Sequence, residues 1–237
     1  MEYGHGGDIY RNRNVELDFS VNVNPLGMPN FVWEAAQRSI AFCTGYPDSS
    51  CENLRGRLSE LTGVPEDQMI FGNGAAELIF RLVQEVRPKK AVIPAPSFAE
   101  YETALRSCGT EIAFFYLKEA ESFFLNISEF LDFLRTEQPE IIFLCTPANP
   151  TGAMIRQADL CRILDHCKKH GILLVLDECF VEFLDEERSC GCIREFLEWE
   201  TGRPEHGGNL FLLRAFTKTY AMAGLRLGYG FCTSREL

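Results

Sequence analysis

The sequence predicts an α/β domain with a mainly parallel central sheet, on two observations. Short apolar runs of strand length recur from about residue 70 onward, and amphipathic segments of helical length separate them. Strands that are apolar throughout must be covered on both faces, as happens in a parallel sheet with crossover helices. The chain has 237 residues, 46% hydrophobic and 24% charged, enough for a sizeable core in one large domain or two small ones.

Residues 1–50 stand apart as an N-terminal arm with a lead-in helix. "HGGDIYRNRNVELDFSVNVNPLGMPN" is rich in Gly, Asn and Pro and reads as extended chain, followed by the helix "FVWEAAQRSIAF". The turn "GYPDSS" leads into 51–237, the main domain, which opens on the helix "CENLRGRLSELTG". "AAELIFRLVQEV" has helical apolar spacing, "AVIPAP" is a short strand, "FAEYETALRSCG" a helix with a glycine stop, and "TEIAFFYL" a strand. "SEFLDFLRTE" predicts a helix capped by its serine, and "EIIFLCTP" a buried strand. "QADLCRILDHCKKHG" is an amphipathic helix with a cationic last turn and a glycine C-cap. "ILLVLDE", "NLFLLRAF" and "LRLGYGFC" complete the strands.

A net charge of −11 and a pI near 4.9 leave no basic stripe for a nucleic-acid partner. No apolar run has the length of a membrane span, and "MEYGHGGDIY" lacks the regions of a signal peptide, so a cytoplasmic location is expected. The ten cysteines form no CxxC pair and several lie in apolar runs, which fits reduced thiols rather than a metal set.

Ligands of open α/β sheets bind beyond the carboxyl ends of the strands, and four such ends carry unusual residues. "FGNGAAE" sets two glycines before a helix, an arrangement that receives a phosphate or simply makes a turn. It is no dinucleotide fingerprint, because Glu77 stands where a third glycine would be. "CTPANPTG" ends a strand with Asn149 between prolines, either a ligand contact or a rigid turn. Asp177 ends the apolar strand "LLVLD", where a carboxylate needs a partner, whether a bound cation or a structural salt bridge. In "AFTKTYAMAGLRLGY", Lys218 and Arg226 are the only charges among small and apolar residues. A molecule with an aldehyde for the amine and a phosphate for the guanidinium would satisfy both.

In this order, these residues resemble the fold-type I pyridoxal-phosphate enzymes, specifically the class I/II aminotransferases, over essentially the whole chain. The resemblance implies the aspartate-aminotransferase-like large domain at 51–237 and pyridoxal 5′-phosphate as cofactor. It implies that Lys218 carries the cofactor covalently and moves protons, and that Asp177 pairs with the pyridine nitrogen. Asn149 matches the residue bonding the ring 3′-oxygen, and Phe98 in "PSFAEY" the aromatic that stacks on the ring. Gly74, Ala75, Ala76, Thr217 and Arg226 match the phosphate cradle. Tyr46 in "GYPD" matches a tyrosine that reaches the neighbouring subunit's phosphate, which implies a homodimer with shared sites. Two positions depart from the pattern: Ala215 replaces a phosphate-holding hydroxyl, and Phe180 replaces a tyrosine that bonds the 3′-oxygen.

Within the family, the chain is similar to the threonine-phosphate decarboxylases of cobalamin biosynthesis and to the histidinol-phosphate aminotransferases. "HGGDI" and "LDFSVNVNPLGMP" favour the first. They imply a small phosphorylated amino acid as substrate, with His5, Gly6 and Gly7 near its phosphate and Asn24 near its carboxylate, although His5 also reads as a frayed terminal residue. An aminotransferase-like fold also serves as a non-catalytic sensor, usually with an attached DNA-binding module, which is not expected here given the net acidity, or persists as a truncated cofactor-binding remnant. The family's C-terminal small domain, with its carboxylate-clamping arginine, is expected to begin beyond Leu237.

Overall fold

The computed structural model describes residues 6–7, 10, 13–184 and 208–232. His5 lies outside the described residues. Fourteen regular elements follow in chain order: α1 (Asn30–Ser39), α2 (Glu52–Thr62), β1 (Met69–Gly72), α3 (Ala75–Val86), β2 (Lys90–Ala95), α4 (Ala99–Ser107), β3 (Glu111–Tyr116), α5 (Ile127–Glu137), β4 (Ile141–Cys145), α6 (Gln157–His170), β5 (Leu173–Asp177), β6 (Leu210–Ala215), α7 (Phe216–Thr219) and β7 (Gly228–Cys232).

The strands form one seven-stranded sheet in the order β1-β7-β6-β5-β4-β2-β3. From β6 to β3 every pairing is parallel; β7 runs antiparallel to both β6 and β1. Both faces are covered, as continuously apolar strands require. Leu58 of α2, Phe130 and Leu134 of α5 and Ile163 of α6 pack on one face, and Leu78, Ile79, Leu82 and Val83 of α3 with Tyr101 and Leu105 of α4 on the other. A fully buried side chain of this kind contributes about 1.5–3 kcal/mol relative to exposure, so the α3 face alone fixes that helix to the sheet.

Local sequence sets the element ends. α6 stops at Gly171, whose φ of 66° is left-handed. The cap of α5 is not the expected serine. Asn126 precedes the helix and accepts from Glu129 N at 3.3 Å, while its amide donates to Glu129 Oε1 at 2.9 Å. Ile127 is buried, so the helix starts one residue before Ser128 to place that side chain in the core. β1 has four residues and is paired only by β7, a strand that local patterning does not separate from the glycine turn behind it. Among the described residues no helix is long and apolar enough to cross a membrane.

Candidate active site

The parallel strands deliver their carboxyl ends to one edge of the sheet, and the unusual residues meet there. Ala75, Ala76, Phe98, Cys145, Asn149, Asp177, Cys179, Phe180, Ala215, Thr217, Lys218 and Arg226 line one open pocket of about 490 Å³. Asp177 is the last residue of β5, in register with Cys145 of β4 and Leu213 of β6. Lys218 sits on the single turn of α7, directly after β6. Phe98 caps α4 after β2, and Asn149 lies in the turn after β4.

The start of α3 and Arg226 bring to the pocket the kinds of group that could hold an anion. The first amides of α3 open onto it at Ala75 and Ala76, where the helix dipole is positive. Gly74 precedes them at φ 86°, and a Cβ there would come within 2.5 Å of an Arg226 guanidinium nitrogen. The left-handed backbone there favours glycine. At Gly228 the constraint is the close approach of main chain, since its Cβ would fall 2.5 Å from Ala75 N. Arg226 Nη1 donates to Ala223 O at 2.9 Å, and Thr217, 4% exposed, is part of the pocket lining. Glu77 does not intrude. Its carboxylate accepts from Asn73 N at 2.5 Å and Nδ2 at 2.8 Å, and the backbone bond holds its pKa below the usual range.

The same pocket holds a buried carboxylate. Asp177, 5% exposed, accepts from Tyr101 Oη at 2.6 Å on Oδ2 and from Cys179 N at 2.9 Å on Oδ1. No lysine or arginine among the described residues forms a salt bridge with it. Burial, then the Asp177 charge, pushes the Tyr101 phenol well above its ordinary pKa, so it is a fixed neutral donor. The same two causes raise the Cys179 and Cys145 thiols far above the usual range and keep both protonated. Lys218 Nζ stands 5.7 Å from the Phe180 ring centroid, a cation–π distance.

Three residues in this arrangement went unnoticed in the sequence: Tyr101, Cys145 and Cys179. The signal for Tyr101 was its spacing, three residues from Phe98 on one helical face, where the two rings meet edge to face at 5.6 Å. Other expected residues lie elsewhere. Tyr46 is fully exposed and is not part of this pocket's lining, and its expected place was the neighbouring subunit's site. Gly6 and Gly7 pack on Ser20: the Gly7 amide donates to Ser20 Oγ at 2.8 Å, and a Cβ on Gly6 would strike Ser20 O. Asn24 meets the backbone of Lys218 and Thr219 and does not line the pocket.

The sequence profile described as "Aminotransferase class I and II" matches residues 14–237. The chain belongs to that family. Members of this family work with pyridoxal 5′-phosphate. This aminotransferase-family chain is 38% identical to the threonine-phosphate decarboxylase of Salmonella typhimurium over 232 residues, covering 95% of this chain and 60% of that protein. It is 32% identical to the histidinol-phosphate aminotransferase of Methanosarcina barkeri, covering 88% of this chain and 53% of that one. In three dimensions it resembles the histidinol-phosphate aminotransferase of Clostridium acetobutylicum, with a TM-score of 0.77, 27% identity and coverage of 92% and 60%. It therefore spans about three fifths of the length of the curated relatives it matches.

Proposed function

We propose that this chain holds pyridoxal 5′-phosphate and acts on a phosphorylated amino acid. The reaction we assign is decarboxylation of L-threonine-O-3-phosphate to aminopropanol phosphate, in cobalamin biosynthesis. The observation that carries the cofactor reading is one pocket lined together by the start of α3, Arg226, Lys218 and a buried carboxylate that has no salt bridge among the described residues. The donor set fits the group: α3 amides, Thr217 and Arg226 for the phosphate, Asp177 for a protonated ring nitrogen, Asn149 for the ring oxygen, Phe98 for the ring face. Ala215 and Phe180 supply no hydroxyl there, leaving Thr217 as the hydroxyl residue of the pocket lining.

Bound pyridoxal phosphate supplies an aldehyde that condenses with amines and a ring that accepts an electron pair from the substrate. The chain's own residues do the rest. Lys218 holds the aldehyde and moves protons at its Nζ. Asp177, oriented by Tyr101 and Cys179 N, keeps the ring nitrogen protonated in a buried setting where that charge acts strongly. The choice of substrate rests on the decarboxylase relative at 38% identity. A second reading, amino transfer with histidinol phosphate, is favoured by the relative at 32% identity and by the structure at a TM-score of 0.77.

Residues 1–50 serve here as an arm and 51–237 as the cofactor-binding domain. We further propose a homodimer with shared sites, which the full exposure of Tyr46, Phe19 and Phe42 supports. We place it in the cytoplasm, where the free thiols among the described residues stay reduced. The deciding experiment incubates the holoprotein with L-threonine-O-3-phosphate. Carbon dioxide release supports the assignment; amino transfer to a keto acid from histidinol phosphate supports the second reading; neither reaction leaves a non-catalytic cofactor-binding protein.

A further inference from the structure

The turn that carries Lys218 is held from the far end of the chain. α7 has only four residues, and its carbonyls bond to the chain directly behind it: Phe216 O accepts from Tyr220 N, Thr217 O from Met222 N and Lys218 O from Ala221 N, each at 3.2 Å. Asn24 adds two bonds from outside this local stretch. Its backbone N donates to Lys218 O at 3.0 Å, and its side-chain Nδ2 donates to Thr219 O at 2.9 Å. The remaining polar groups of Asn24 shape its own segment: Oδ1 accepts from Leu26 N at 3.0 Å and O from Gly27 N at 3.1 Å. Two residues earlier, Asn22 Nδ2 reaches Asn149 Oδ1 at 3.3 Å. The segment from 22 to 27 thus bonds to the turns after both β4 and β6.

We propose that Asn24 is a positioning residue for Lys218, a helix C-cap supplied some 190 positions away in sequence. The inference rests on the cofactor reading above and assigns Asn24 a role other than contact with the substrate carboxylate. A lysine amine reaches its target at the end of a flexible stem, so its placement depends on where the backbone of its turn is fixed. Local backbone bonds close the turn on Phe216 O, Thr217 O and Lys218 O, and Thr219 O takes its bond from Asn24. After α7 the chain passes through Ala221 in the left-handed region at φ 46° and then a 3₁₀ turn at Ala223–Leu225. Small displacements of a reacting group carry large costs in rate and affinity.

The test is made without substrate. Asn24→Asp keeps the acceptor for Leu26 and removes the donor to Thr219; Asn24→Ala removes both. Each apoprotein is titrated with pyridoxal 5′-phosphate, and formation of the visible band of lysine-bound cofactor is followed after mixing. Both variants should bind about five- to tenfold more weakly than wild type, as loss of one hydrogen bond of about 1 kcal/mol implies. The band should form more slowly by a similar factor. Should Asn24→Ala not fold, Asn24→Asp carries the test. An unchanged dissociation constant overturns the inference, whether accompanied by a lowered Tm, which marks a merely structural role, or by a raised KM for L-threonine-O-3-phosphate, which marks a substrate contact. Wild-type protein that takes up no cofactor overturns the functional reading and this inference together. Wild-type uptake with unaltered variants overturns this inference alone.

Discussion

At the scale of single residues, the proposed chemistry rests on Asp177 and Lys218. The carboxylate is buried, with two neutral donors, Tyr101 and Cys179 N, and no salt bridge among the described residues; a buried charge in that state favours a cationic ligand. Asp177→Asn keeps the shape and loses the charge, so turnover should fall by about two to three orders of magnitude while the fold remains. Steady-state rates beside a circular-dichroism melt check it. Borohydride reduction of the holoprotein and peptide mapping should place the cofactor on Lys218; a label on Lys89, Lys90 or Lys168 would defeat the assignment. Phe180 lines the same pocket without a hydroxyl. In Phe180→Tyr a new donor to the ring oxygen would stabilise its anion, so the visible band of the bound cofactor should titrate at lower pH, read by absorbance against pH. Much of this was legible in the sequence, because Asp177, Asn149, Lys218 and Arg226 are polar residues where apolar strands end. Tyr101 and Cys145 were not: a thiol in an apolar run looks like core until β-strand register sets Cys145 beside Asp177, and a helical tyrosine shows its partner only once α4 packs on the sheet.

At the scale of elements, β5 and β6 must hold Asp177 and Lys218 at a fixed separation, and a buried ion pair spans them. Arg214 Nη2 and Nε donate to Glu178 Oε2 at 2.6 and 3.1 Å, with side chains 7% and 1% exposed. Burial works against the Arg214 charge, but Glu178 outweighs it and raises the guanidinium pKa. Arg214→Ala breaks this buried ion pair and should cost about 3–5 kcal/mol, measured by urea denaturation. The helices and the central strands were readable from periodicity because packing on two faces imposes it. The cap of α5 was misread for a physical reason: both Asn126 and Ser128 are good caps, and the burial of Ile127 selects the first.

At the scale of the whole molecule, the arm is the least covered part. Leu17, Phe19, Leu26, Phe42 and Tyr46 are each more than 70% exposed, and such apolar surface marks an interaction face. The proposed homodimer predicts twice the chain mass in light scattering, and Tyr46→Ala should weaken cofactor binding without changing that mass. Mass equal to one chain under conditions that retain cofactor would exclude shared sites.

The pairing of β1 with β7 also sets a schedule. Met69 and Phe231 are neighbours across the sheet but some 160 positions apart along the chain. At about 5–20 residues per second, roughly 8–30 s of synthesis separates the first partner from the second. Until β7 arrives, β1 is a strand without a ladder and Gly74 has no guanidinium against it. The parallel core from β2 to β5 is complete by then, and contacts this distant in sequence form slowly. The phosphate end of the pocket is therefore the last part of the site to exist, and a nascent chain displays the carboxylate and aromatic walls well before it can grip an anion.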